Sequence, residues 1–143
     1  FEITGVQLEV GSVATDFEHR SFGQELALCQ RYYYVIADGS ELADQHIGNG
    51  FGWSSSQVEC AIRFPVVMRG NPSLLLSTGT NYYMWRSNGS QIYVTNVALT
   101  NANPRSASIF ANSSMSVSGA VANGSYRTQL GNASAYLHLN AEL

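Results

Sequence analysis

At 143 residues, 45% of them hydrophobic, the chain has the size of one domain with a real core. Charged residues make up only 12%, the formal net charge is −3, and every cation is arginine; this argues against nucleic acid, whose phosphates draw on clustered lysine and arginine. No apolar run approaches the ~20 residues of a membrane helix, and no basic stretch followed by an apolar one marks a secretory leader.

The first elements divide the chain in two. Residues 1–20 read as a terminal strand (3–10) and a connector from an upstream module, so the chain reads as a piece of a longer protein. Residues 21–143 read as a helix followed by a β-domain. Ser21 is a good N-cap, and Gln24 completes the S-x-x-Q capping box. Phe22, Leu26, Cys29 and Tyr33 then recur on one helical stripe. A helix of about three turns is marginal in water by itself, so packing must hold it. Cys29 on this stripe and Cys60 on a strand both read as small buried hydrophobes, and as thiols rather than a disulfide.

Beyond the helix the pattern is β. Residues 32–37 are aromatic and β-branched. Residues 38–56 read as a long loop, a length that usually carries function or motion. Strands are predicted at 57–64, with Val58, Cys60, Ile62 and Phe64 inward, and at 73–78, 82–86, 91–99, 105–111, 115–121, 126–130 and 135–141. Asn88-Gly89 and Asn123-Gly124 read as hairpin turns. In the last strand Leu137 and Leu139 point inward, Tyr136 and His138 outward. The fold class is therefore mainly β: an antiparallel, jelly-roll-like β-sandwich with one short N-terminal α-helix.

Catalytic chemistry is thin. Only Asp38, Glu41 and Asp44 bring acids together, and the expectation is that the protein is not an enzyme. The three histidines lack metal-ligand spacing, and no metal or other cofactor is expected. The Asn-X-Ser triplets at 88, 112, 123 and 132 read as turn chemistry. Aromatics are the richest resource, with eight Tyr, six Phe and two Trp. Tyr83 and Trp85 share one face of a strand, with Arg86, Asn81 and Asn88 at its ends; Phe51 and Trp53 follow the glycine-rich run; Asp44 and His46 lie in the same long loop. Rings beside amides and a guanidinium suit sugar recognition, which makes Trp53, Phe51, Asp44, His46, Asn81, Tyr83, Trp85, Arg86 and Asn88 the candidate glycan-binding set. Burial in the core or against a neighbouring subunit is the competing role for each ring.

The run GVQLEVGSVATDFEHRSFGQELALCQRYYY at residues 5–34 resembles a junction in tail-fibre and structural proteins of marine and environmental tailed phages. The segments FPVVMRGNP at 64–72 and YLHLNAEL at 136–143 fit the same pattern. The resemblance implies a carbohydrate-binding-like jelly roll upstream, then a C-terminal β-domain. It implies a virion location, a homotrimer, other tail proteins as partners, and attachment to a host surface polysaccharide or glycan. Phe22, Leu26, Cys29 and Tyr33 would then form the subunit interface. The alternatives are a purely structural or trimerising part of a virion appendage, and a polysaccharide depolymerase.

Overall fold

The computed structural model describes residues 6–13, 15–40, 44–87, 90–115 and 117–142. The helix starts where the capping box places it. Helix α1 (Phe22–Gln30) begins after Ser21, whose hydroxyl accepts from the Gln24 backbone N–H while the Gln24 side chain accepts from the Ser21 backbone N–H. Two orphan donors of the first turn are thereby satisfied. The helix buries none of its residues. Cys29, expected inside, is exposed, which corrects that reading; Cys60 is buried, and both are free thiols.

Ten strands follow: β1 (Tyr33–Asp38), β2 (His46–Ser54), β3 (Gln57–Arg63), β4 (Ser73–Leu76), β5 (Tyr83–Ser87), β6 (Ser90–Val94), β7 (Ala98–Asn103), β8 (Ser106–Asn112), β9 (Ser125–Leu130) and β10 (Tyr136–Asn140). They form two antiparallel sheets, one ordered β1-β10-β4 and one ordered β6-β5-β9-β2-β3-β8-β7. A single apolar cluster joins them, with Leu137 and Leu139 from the small sheet and Trp85, Ile109 and Leu130 from the large one. The mainly β, sandwich-like class read from the sequence holds.

The connection from β6 to β7 shows how the large sheet bends. These are its two opposite edges, yet only residues 95–97 join them. Seven strands laid flat would put the edges ~29 Å apart, at ~4.8 Å per strand. Three linking residues span at most roughly 14 Å. The sheet must therefore curl until its ends face each other, and the interior side chains of β5 and β6 (Trp85, Ile92, Val94) join those of β3 and β8 in one core.

Several strand readings need correction. Residues 46–54, predicted as loop, form β2 in the centre of the sheet. Its glycines alternate with larger residues, and the glycine face points inward where the neighbours leave no room. A Cβ at Gly48 would lie 2.9 Å from the Cys60 sulfur. One at Gly50 would overlap the Glu59 carbonyl and sit 3.1 Å from Trp85 Nε1. Absent side chains hid the periodicity that marks a strand. Of residues 115–121, predicted as a strand, Met115 ends a 3-10 turn (Ser113–Met115), residues 117–121 are irregular chain, and residue 116 lies outside the described residues. Asn112 Oδ1 accepts from the Ser114 N–H and hydroxyl, a local turn that competes with sheet pairing. Asn123, at φ 60°, makes a turn that clamps onto Gly52 through the Asn123 N–H to Gly52 O and Gly52 N–H to Gly124 O bonds, rather than joining two strands. The 91–99 run breaks at 95–97 into β6 and β7. Residues 6–10 are not a strand, and residues 3–5 of that reading lie outside the described residues. Asn88-Gly89 also lies outside them.

Tyr83 ties the sheets together. Its ring is fully buried, and its hydroxyl reaches the carbonyls of Ser77 (2.7 Å) and Tyr136 (2.8 Å), the latter on β10 of the other sheet. Burial pushes its ionisation up from 10.0 to about 12. The neutral phenol is thus favoured in the folded state. Its contribution to stability is fully present below pH 10 and is lost as the pH rises towards 12. We expect wild-type protein to lose stability in that window, with Tyr83→Phe less stable by about 1–2 kcal/mol at neutral pH and less steeply dependent on alkali; urea titrations at pH 7 to 12 measure both. Gly50→Ala should lower stability by about 2–4 kcal/mol, because the obstructing atom is backbone and cannot rotate away; thermal unfolding checks it.

Candidate functional site

The register of the large sheet assembles a site on its outer face. Phe51 pairs with Glu59 on β3 and Ser125 on β9, so these three share a face. One row along, Asn49 pairs with Arg127, Arg127 with Arg86, and Arg86 with Gln91. Asn49, Arg127, Arg86 and Gln91 therefore lie side by side across β2, β9, β5 and β6, all exposed. An open depression of about 810 Å³ lies over this row, lined by Asn49, Arg86, Ser87, Ser125 and Arg127 among others.

The aromatic half of the site depends on a β-bulge. Gly52 pairs with Val58 and Ser54 with Gln57, which leaves Trp53 as the extra residue on β2. A bulge re-aims a side chain and bends its strand. Trp53 stands on the outer surface, 58% exposed, with its ring centroid 5.2 Å from that of Phe51. Its indole N–H donates to the Glu59 carboxylate, which is itself buried. This bond fixes the ring and satisfies one lone pair of a buried carboxylate. A tryptophan so exposed and so held is a rigid apolar plate beside a polar row.

The expected set divides. Phe51, Trp53 and Arg86 meet on this face. Tyr83 and Trp85 do not: both are fully buried in the core, which corrects their reading as ligand contacts. Met84, on the opposite face of β5, is also buried, while Arg86 two residues on along that face is exposed. His46 and Asp44 are exposed, but His46 pairs with Gln129 at the far end of β2, about five residues or ~16 Å from Phe51. Asn81, at φ 61°, turns the chain before β5, at the end away from Arg86. Asn88 and Glu41 lie outside the described residues. Arg127, Asn49 and Gln91 were not in the expected set. The strict Gly-X alternation of residues 48–53 could have exposed Asn49, but Arg127 and Gln91 depend on strand register, which one strand's sequence does not carry.

A smaller polar cluster lies on the other sheet. The Tyr33 hydroxyl bonds His138 Nδ1, and His138 Nε2 is 3.8 Å from an Asp38 carboxylate oxygen. The Ser40 hydroxyl and N–H hold the Asp38 carboxyl below its ordinary range, with His138 a lesser cause. Tyr33, read as an interface residue, is half-exposed here with its hydroxyl engaged. His138, expected outward, is largely covered between the rings of Tyr33 and Tyr136. Among the described residues no group of three or more His, Cys, Asp or Glu is placed to hold a metal ion, and no helix is long and apolar enough to cross a membrane.

Compared with family models, curated proteins and solved structures, the chain matches none.

The two tryptophans should report the division between surface and core. Trp53→Phe should leave a blue-shifted emission that acrylamide barely quenches, because only buried Trp85 remains; Trp85 emission that quenches as readily as a free indole would contradict its burial.

Proposed function

We propose that this chain is a non-enzymatic attachment domain of a virion appendage, a tail fibre or a related part, that binds a glycan on the host surface. The observation that carries the reading is the paired, exposed Phe51 and Trp53 beside a row of amides and guanidinia. A flat indole stacks on the C–H face of a sugar ring, and Asn49, Gln91, Arg86 and Arg127 supply the planar donors and acceptors that read its hydroxyls. The resemblance of residues 5–34 to a phage tail-fibre junction supports the same role.

Helix α1 supports assembly of several copies. It offers Phe22 at 82% exposure, Leu26 at 43% and Cys29 beside them, with no residue buried. A nine-residue helix gains too little from its own hydrogen bonds to persist without tertiary packing. Burial of that stripe against its symmetry mates, in a homotrimer, provides the missing packing. Three copies then multiply a weak sugar contact through effective concentration, so a single site need bind only in the millimolar range. An oligomerising role without a ligand is the second reading, and the same exposed helix favours it.

Two substitutions separate these readings. Trp53→Ala should fold and assemble normally yet lose at least about tenfold in whole-cell or glycan-array binding by the intact oligomer. Leu26→Glu should dissociate the oligomer, as light scattering after size exclusion would show, because it places a charge in an apolar contact. Undiminished cell binding by Trp53→Ala would refute the glycan role; an unchanged mass for Leu26→Glu would remove α1 from the interface.

A further inference from the structure

Two of the seven cations of this acidic chain stand directly opposite each other. Arg86 on β5 and Arg127 on β9 are register partners on the outer face. Like charges directly opposite across a ladder repel and destabilise a sheet. Among the described residues neither guanidinium is within salt-bridge distance of a carboxylate, although Arg20 on the same chain pairs with both Glu18 and Glu25. The acid sharing their face, Glu59, lies two strands from Arg127 and is tied to Trp53. The pair opens onto the depression described above, with Asn49, Ser87 and Ser125 around it and the Phe51–Trp53 plate one row away.

We propose that Arg86 and Arg127 form a subsite for an anionic group on the saccharide, a uronate carboxylate or a sulfate ester, so that the preferred ligand is an acidic polysaccharide. This rests on the glycan reading and adds the ligand's charge. Two guanidinia on adjacent strands present forked donors to one anion, which relieves their mutual repulsion as it binds. Stacking on Trp53 places a neighbouring sugar ring, since adjacent strands lie ~4.8 Å apart and residues on one face of a strand recur every ~6.6 Å, a spacing comparable to one sugar unit. A polynucleotide is the less favoured anion, because the chain is net negative and this row brings together only two cations.

The test is calorimetric titration of the intact protein with tetragalacturonate, the same oligomer with its carboxyls reduced to alcohols, that neutral oligomer sulfated, and a single-stranded oligonucleotide, at 0.05 and 0.5 M NaCl. We expect an acidic oligomer to bind at least about tenfold more tightly than the reduced one, with the advantage shrinking at high salt. Which acidic form binds better tells carboxylate from sulfate ester. Arg127→Gln and Arg86→Gln should each remove most of that advantage, weakening the acidic oligomers far more than the neutral one, whose hydroxyls the glutamine amide can still bond. Their melting temperatures should be equal to or above wild type, since a repulsion is removed, and their oligomer mass should not change. Acidic and reduced oligomers binding alike, with Trp53→Ala weakening both, would overturn the anionic subsite and leave the glycan reading standing. An oligonucleotide bound as tightly as either acidic oligomer, or an altered oligomer mass in the arginine variants, would overturn the subsite in favour of a polyanion or subunit contact. Failure of every saccharide to bind would overturn both readings.

Discussion

The structure turns on the fit between the glycine face of β2 and the indole of Trp85. Among the described residues Trp85 is the largest fully buried side chain, and its ring nitrogen lies 3.1 Å from where a side chain on Gly50 would begin. Close approach of this kind lets the large sheet curl tightly, because an inward side chain on β2 would hold its facing layer away. Once the sheet is curled, the short link between its opposite edges becomes possible, and Tyr83 comes within hydrogen-bonding reach of β10. Every outward residue of β2 is then displayed on the outer side of a rigid central strand. The candidate site is therefore a by-product of core packing: the glycines face in, so Asn49, Phe51 and Trp53 face out.

That arrangement suits recognition. Central strands fix where each side chain starts, and Trp53 is held by Glu59 before any ligand arrives. The buried carboxylate beneath it gains a partner from the same bond. Helix α1 shows the opposite condition. It is capped and formed, yet it buries none of its residues, and Phe22 on its apolar stripe stays 82% exposed. The domain thus has one finished surface and one unfinished one, and the two lie on separate sheets' sides of the sequence: α1 leads into β1, while the site sits on β2, β9, β5 and β6.

What the sequence made legible follows local physics. The capping box of Ser21 and Gln24 is chemistry within four residues, and it was readable in full. The inward faces of β3 and β10 were readable because Val58, Cys60 and Ile62, and then Leu137 and Leu139, recur at every second position, with Gln57, Glu59 and Arg63, and His138 and Asn140, between or beside them. Readings failed where the deciding partner is distant. Residues 46–54 looked like a loop because glycine carries no hydropathy signal, while the reason for the glycines is Glu59, Cys60 and Trp85 on other strands. Tyr83 and Trp85 looked available because one face of a strand is commonly open; on β5 they point into the core, and the open position is Arg86 on the other face, beyond Met84, which is set between Tyr93 and Gln129 across its two ladders. Arg127 could be joined to Arg86 only through the register, which is a property of pairs of strands.

The closure of the large sheet also bears on how the domain behaves in a crowd. An open sheet edge is a template on which another chain can add a strand, and long runs of identical domains are exposed to that hazard. Here β6 and β7, the two edges of the larger sheet, are joined by a three-residue bridge, so the end of one edge lies close to the start of the other. The free borders of the smaller sheet are the six residues of β1, which has a register shift at its centre, and the four residues of β4, which follow a proline. Each of these borders is short or interrupted, which limits how far a neighbouring strand could pair along it.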